Sequence, residues 1–204
     1  MLRILQILLF FTTSIFAQSQ DLLKLKEGDL IFQETLSEQS RAIKLATKSR
    51  YTHMGILFQY GNRLKVLEAV EPVKVTDINS FIRRGQNSHF VVKRIRNSEN
   101  ILDSKTISKM KQYGDSFLGK KYDIYFGWSD EKIYCSELVW KIYEKIPGIQ
   151  LGRLKTLKDF DLSSNRVQAL MKKRYGSKIP FSEPVISPSD MFESEQLVTV
   201  LEKP

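Results

Sequence analysis

Thiols and imidazoles are scarce in this chain: 204 residues carry one cysteine and two histidines. A single cysteine excludes an intramolecular disulfide and any zinc or iron–sulfur site built from several thiolates. Two histidines are too few for a histidine metal cluster, so no metal or cofactor is expected. The chain also lacks internal repeats, low-complexity tracts and any dense basic block. If a thiol does chemistry here, it is Cys135.

The rest of the composition is that of a globular protein: 42% hydrophobic and 27% charged residues, with 32 Lys+Arg against 23 Asp+Glu for a formal charge of +9. That argues against wholesale disorder, and the length suits one domain with a sizeable core. The positive charge either favours an anionic surface, such as phospholipid headgroups or cell-wall polymers, or only keeps the protein soluble. No nucleic-acid partner is expected, and the oligomeric state is not legible.

Only one long apolar run exists. Arg3 precedes a nearly uninterrupted stretch over residues 4–16, and Ala17 stands before Gln18-Ser19-Gln20. A charged start, about 13 apolar residues and a small residue at a polar boundary form the secretory pattern. A spanning helix needs about 20 apolar residues. The expectation is a leader over 1–17, a flexible mature start over 18–25 and a domain over 26–204, hence a secreted or periplasmic protein. An uncleaved N-terminal membrane anchor is the alternative. No cysteine follows the run, so no lipid attachment is expected. An unpaired cysteine in an oxidising compartment is either buried and inert or has work to do.

Patterning predicts a short strand at 30–32 after the Gly28-Asp29 turn and a helix over 37–48. Strands at 53–59 and 63–70 flank Tyr60-Gly61-Asn62 as a hairpin, and another strand covers 88–96. Helices are predicted over 103–118, 134–145 and 164–176, a short one from the Ser187-Pro188-Ser189-Asp190 start, and a last strand over 196–201. Strands gather in the first half and helices in the second, which is an α+β layout.

Counted from Cys135, residues Leu138, Val139, Ile142, Tyr143 and Ile146 fall on one helical face in line with the sulfur. The thiol therefore faces the core side. The helix starts either near Ser129-Asp130 or only after Tyr134. A first-turn thiol would have its thiolate stabilised by the helix's positive end, a second-turn thiol much less. The alternative is a small buried hydrophobe.

A thiol nucleophile needs a base, and the base needs an orienting partner. His53 shares a strand face with Gly55 and Leu57. If Tyr60 pairs with Arg63 across a two-residue turn, Glu68 becomes the diagonal neighbour of His53, about 7–8 Å away at the backbone. A three-residue loop would put it on the opposite face. Glu68 is also a carboxylate inside an apolar strand, where charges need partners. The competing reading is a strand-edge histidine and a solvated glutamate. His89, the other candidate, has no similarly placed acid.

The segments Leu118-Gly119-Lys120-Lys121-Tyr122, Gly127-Trp128 and Tyr134-Cys135-Ser136-Glu137-Leu138-Val139 resemble the nucleophile region of NlpC-type cell-wall peptidases. Those carry their histidine after the cysteine, and no histidine follows Cys135 here. His53 in Thr-His-Met-Gly, with Gly28-Asp29-Leu30-Ile31-Phe32 ahead of it, is instead similar to the permuted papain-like hydrolases of the YiiX/YebB-like group. The resemblance spans roughly residues 26–200. It implies a circularly permuted papain-like fold, an antiparallel sheet packed against helices with the nucleophile at a helix N-terminus.

The same resemblance implies Cys135 as nucleophile, His53 as base, Glu68 as its orienting group and Tyr122 near the oxyanion. Tyr134 replaces the acid before the cysteine and Glu137 the glycine after the serine. The aromatic loop 123–128 reads as pocket wall or as satellite core. Asp123 is either a holder for a substrate amine or a surface carboxylate. The implied activity is a cysteine amidase or peptidase acting on peptide or cell-wall amides through a thioester. A lipid-directed acylhydrolase or acyltransferase and a silent binding module are the alternatives.

Overall fold

The computed structural model of the protein describes residues 22–203. The expected leader lies outside the described residues, as do positions 18–21. Leu25 is buried in the smaller of two apolar clusters, and Leu22 packs against that cluster.

Five strands come first: β1 (Leu30–Gln33), β2 (His53–Tyr60), β3 (Arg63–Glu68), β4 (Lys74–Asp77) and β5 (Phe90–Ile95). Two small ribbons follow, β6 (Lys121–Tyr122) with β7 (Lys132–Ile133) and β8 (Lys155–Thr156) with β9 (Pro184–Val185). The last strand, β10 (Leu197–Lys203), returns to β5 and completes a six-stranded antiparallel sheet in the order β10-β5-β1-β2-β3-β4. The hairpin has the register expected from its turn: Tyr60 pairs with Arg63 and Ile56 with Leu67. Gly61 supplies the positive φ (61°) that such a tight turn requires.

The helices are α1 (Glu38–Thr47), α2 (Ile78–Arg84), the single turn α3 (Ser98–Ile101), α4 (Ser104–Asp115), α5 (Cys135–Lys145), α6 (Asn165–Tyr175) and α7 (Pro188–Phe192). Their starts follow from side-chain caps. Ser37, Asp77, Asp103, Ser164 and Ser187 each accept a backbone N–H from the first turn they precede. Helix α4 is shorter than the predicted 103–118. Its chain turns at Ser116 and reaches a left-handed Gly119 (φ 80°).

Helices pack on both faces of the sheet, which explains why β2 is apolar at successive positions. Met54, Ile56 and Phe58 join Leu138, Val139 and Ile142 of α5 in the larger cluster. Leu57 joins Ile31, Val66 and, from α2, Ile78, Phe81 and Ile82 in the smaller one. The α+β arrangement expected from the sequence is the one observed. Its functional consequence is local, because α5 arrives with its first residue beside the start of β2.

Candidate active site

Cys135 is the first residue of α5, and Tyr134 before it is still extended. The later of the two possible helix starts is therefore the observed one. The sulfur sits where the unsatisfied N–H groups of the first turn favour negative charge. Two contacts fix this entry. Glu137 Oε2 accepts the Tyr134 N–H at 3.3 Å, and the Ser136 hydroxyl donates to Ile186 O at 2.8 Å. Glu137 has no exposed surface, and burial pushes its carboxyl up to about 8 against the pull of Lys141, whose Nζ lies 2.8 Å from Oε1. Glu137 thus braces the turn into the helix that carries Cys135.

His53 opens β2, and its Nε2 is 2.7 Å from Glu68 Oε2. Glu68 reaches it diagonally, as the hairpin register requires. The strand position directly opposite Glu68 is Gly55, and the space it leaves is used. A Cβ there would lie 2.4 Å from Val66 Cγ1, 2.9 Å from Leu67 O and 3.3 Å from Glu68 Cβ. With Nε2 on the carboxylate, the other ring nitrogen remains for Cys135, which lies near enough to raise the imidazole. Phe81 stacks on the imidazole at 5.5 Å between centroids.

Electrostatics follow from this geometry. Burial works against the imidazolium, but the Cys135 and Glu68 contacts outweigh it and raise His53 to about 9. Burial also opposes the thiolate, yet His53 and the backbone N–H groups of Met54 and Ser136 hold the thiol below its usual value. For Glu68, burial is outweighed by His53 and Arg84, and the carboxyl falls to about 2. Arg84, in the last turn of α2, donates to Glu68 Oε1. The group is arranged as thiolate, imidazolium and carboxylate in line, which suits nucleophilic attack by sulfur followed by proton delivery from the ring.

The remaining candidates divide. Tyr122 lines the same pocket as Cys135 and is close enough for the neighbouring thiol to raise its phenol further than burial alone. Tyr134 is buried, its ring against Phe126 (5.2 Å) and its hydroxyl accepting the Ile186 N–H at 3.2 Å, so it walls the site. Asp123 is buried as well. Its two oxygens each accept a backbone N–H at 2.8 Å, from Tyr125 and Gly127, which commits the carboxylate to its own loop. In that loop Phe126 faces the pocket while Trp128 packs on Trp140 (5.3 Å). His89 lies elsewhere, stacked over Tyr51 at 6.2 Å, and burial lowers it.

Beside Cys135 opens an almost wholly apolar slot. Ala42 and Ala46 of α1, Leu157, and Val167, Leu170 and Met171 of α6 line it. A second, more polar cleft on the His53 side is bordered by Thr35, Ser37, Glu71 and Arg84.

Sequence reasoning missed Arg84, Gln39 and Arg174. Arg84 was within reach, because Asp77 ahead of Ile78, apolar residues at 78, 81 and 82, and Gly85 after two arginines are the marks of a capped helix. Gln39 and Arg174 carried no local signal. They meet only because α1 and α6 pack together.

Residues 24–201 match the family described as permuted papain-like amidase enzyme, YaeF/YiiX, C92 family. The chain is 45% identical over 173 residues to the "Uncharacterized protein YiiX" of Escherichia coli (strain K12), covering 85% of this chain and 84% of that protein. It also resembles the solved structure of the metalloprotein yiiX from Escherichia coli O157:H7, with a TM-score of 0.83 and 43% identity over 88% of this chain and 98% of that one. Here, among the described residues, no group of three or more His, Cys, Asp and Glu could hold a metal ion, and Nε2 of His53 is already given to Glu68. The described residues therefore assemble no such ligand set for a resident metal. On sequence match, fold and the order of its cysteine and histidine, this chain belongs to the permuted papain-like amidase family.

Proposed function

We propose that the protein is a thiol amidase that cleaves amide bonds of peptides or cell-wall fragments through Cys135, His53 and Glu68. The observation that carries this reading is the continuous contact from Cys135 through His53 to Glu68, with the sulfur at the first position of a helix. The Cys135 thiolate attacks the carbonyl carbon, and the carbonyl electron pair moves to oxygen. Collapse of that intermediate expels the amine, which takes its proton from His53. Neutral His53 then removes a proton from water, and hydroxide attack on the thioester releases the acid and returns Cys135.

The pH dependence of Cys135 alkylation by iodoacetamide tests the reading, and the single cysteine makes the label unambiguous. A free thiol titrates near about 8.5. Fast labelling below pH 7 that moves upward in His53→Ala and Glu68→Ala supports it. Equal, slow labelling in all three proteins would overturn it and favour a binding module.

The apolar slot favours a second reading, a lipid-directed acylhydrolase or acyltransferase. Acylation by a p-nitrophenyl ester series separates the two: rates that climb with chain length and collapse in Ala46→Phe support the lipid reading. A preference for peptide amides supports the first. We also propose that residues 1–17 direct export. Recovery outside the cytoplasm with a new N-terminus at Gln18 would support this, and an intact, membrane-held N-terminus would favour an anchor.

A further inference from the structure

The Tyr122 hydroxyl is the near end of a hydrogen-bond chain that runs from α6 through α1 to the site. Arg174 Nη2, in the last turn of α6, donates to Gln39 Oε1 at 2.6 Å. Gln39 Nε2, in the first turn of α1, donates to Tyr122 Oη at 2.8 Å. Tyr122 in turn lines the pocket wall beside Cys135.

Chemistry sets the direction of this chain. A guanidinium has donors and no acceptor, so the Gln39 amide must turn its oxygen to Arg174. Its NH₂ then faces Tyr122 and donates. The phenol oxygen becomes an acceptor on the Gln39 side, and its own proton is left for the sulfur side. Gln39 alone could not enforce this, because a primary amide presents either end equally well.

Arg174 is itself held for the task. Its guanidinium lies 5.4 Å from the centre of the Phe126 ring, and among the described residues it forms no ion pair with a carboxylate. A half-buried guanidinium spent on a neutral amide is a costly way to join two helices. A carboxylate in place of the amide would join them more strongly.

We propose that Arg174 and Gln39 are positioning residues that keep the Tyr122 O–H aimed at the reacting centre, where it donates to the carbonyl oxygen as Cys135 attacks. When the sulfur electron pair forms the S–C bond, the carbonyl π pair becomes the oxyanion. The Tyr122 O–H then donates to that oxygen, with no proton transferred. Burial and the neighbouring Cys135 charge keep the phenol protonated, as a donor must be. This rests on the thiol acyl-transfer reading above.

Two reactions of Cys135 separate the two ideas. Alkylation by iodoacetamide needs the thiolate but forms no oxyanion, whereas acylation by p-nitrophenyl butyrate passes through one. Removing an oxyanion donor costs about 10²–10³-fold. Tyr122→Phe and Gln39→Glu are therefore expected to lower the acylation rate by about 100-fold, while the limiting alkylation rate at the top of the pH profile stays within about threefold.

Gln39→Glu is the decisive variant. It keeps the shape and the Arg174 contact but accepts the Tyr122 proton and so reverses the chain. A merely structural role would rank it milder than Gln39→Leu. Arg174→Lys, still a pure donor, is expected to retain most of the acylation that Arg174→Met loses. Near-normal acylation in Gln39→Glu would overturn the proposal, as would a parallel fall of both reactions. A wild-type thiol slow in both reactions would instead remove the thiol mechanism itself.

Discussion

Arg84 donates to Oε1 of Glu68, the oxygen that His53 leaves free. One buried carboxylate is thereby held between an imidazole and a guanidinium, with each oxygen assigned. Replacing Arg84 by Met frees one oxygen and lets Glu68 rotate. The Arg84 side chain is 39% exposed, so the cost is expected to be about 1–2 kcal/mol, below that of breaking a fully buried pair. Glu68 sits below its ordinary 4.5, at about 2, so the stability it contributes is complete above 4.5 and is lost as pH falls towards 2. Without Arg84 that window narrows, and acid unfolding followed by circular dichroism should begin at higher pH. An unchanged acid transition would contradict the pairing.

Activity should follow the imidazolium. As pH rises, acylation increases while the thiol ionises and declines when His53 loses its proton near 9. Glu68→Gln removes the charge that helps to raise His53. The alkaline limb is then expected to move to lower pH, and the maximal rate to fall by about 100-fold or more. A pH–rate profile of p-nitrophenyl butyrate acylation for both proteins reads this directly. A limb that stays near 9 would mean that another group holds the proton.

Gly55 is needed for space rather than for an unusual φ. In Gly55→Ala the new methyl meets Val66 and the Leu67 carbonyl, so β3 must move away from β2. Overpacking of this kind costs about 1–3 kcal/mol. The displacement reaches Glu68 directly, and a misplacement of about 1 Å can cost up to about 100-fold in rate. The expected result is a folded protein with slowed acylation and a weakened low-pH alkylation advantage.

Glu137 behaves in the opposite sense to Glu68. Burial raises its carboxyl from 4.5 to about 8, so the stability linked to its neutral form is complete below 4.5 and is lost as pH rises through 8. Glu137→Gln should remove this decline. The variant is expected to match the wild type near pH 5 and to exceed it near pH 8–9 by on the order of 1 kcal/mol, about 2–4 °C in Tm. Parallel Tm curves across that range would show that the ionised carboxylate is better compensated by Lys141 than its burial suggests.

The hairpin explains why so much of the site was legible. Tyr60, Gly61, Asn62 and Arg63 set the register, and register alone makes Glu68 the neighbour of His53. That relation lies within 16 consecutive residues. Helix α5 was likewise written in the spacing of Leu138, Val139 and Ile142, although its first residue was not, because neither Ser129 nor Tyr134 makes a decisive cap. The Asp123 role was not legible: a carboxylate in an aromatic loop looks the same whether it faces a substrate or its own backbone. Arg174 and Gln39 stand 135 residues apart and meet through helix packing, which no local pattern records.

The base and its carboxylate come from one hairpin, whereas the thiol comes from a helix that begins 67 residues further along. As the chain leaves the ribosome, the imidazole is therefore made long before the sulfur. Until α5 docks against β2, Cys135 lacks both the His53 contact and the Met54 amide that hold its pKa down. It stays an ordinary thiol on an unfinished protein, and only the completed fold lowers its pKa.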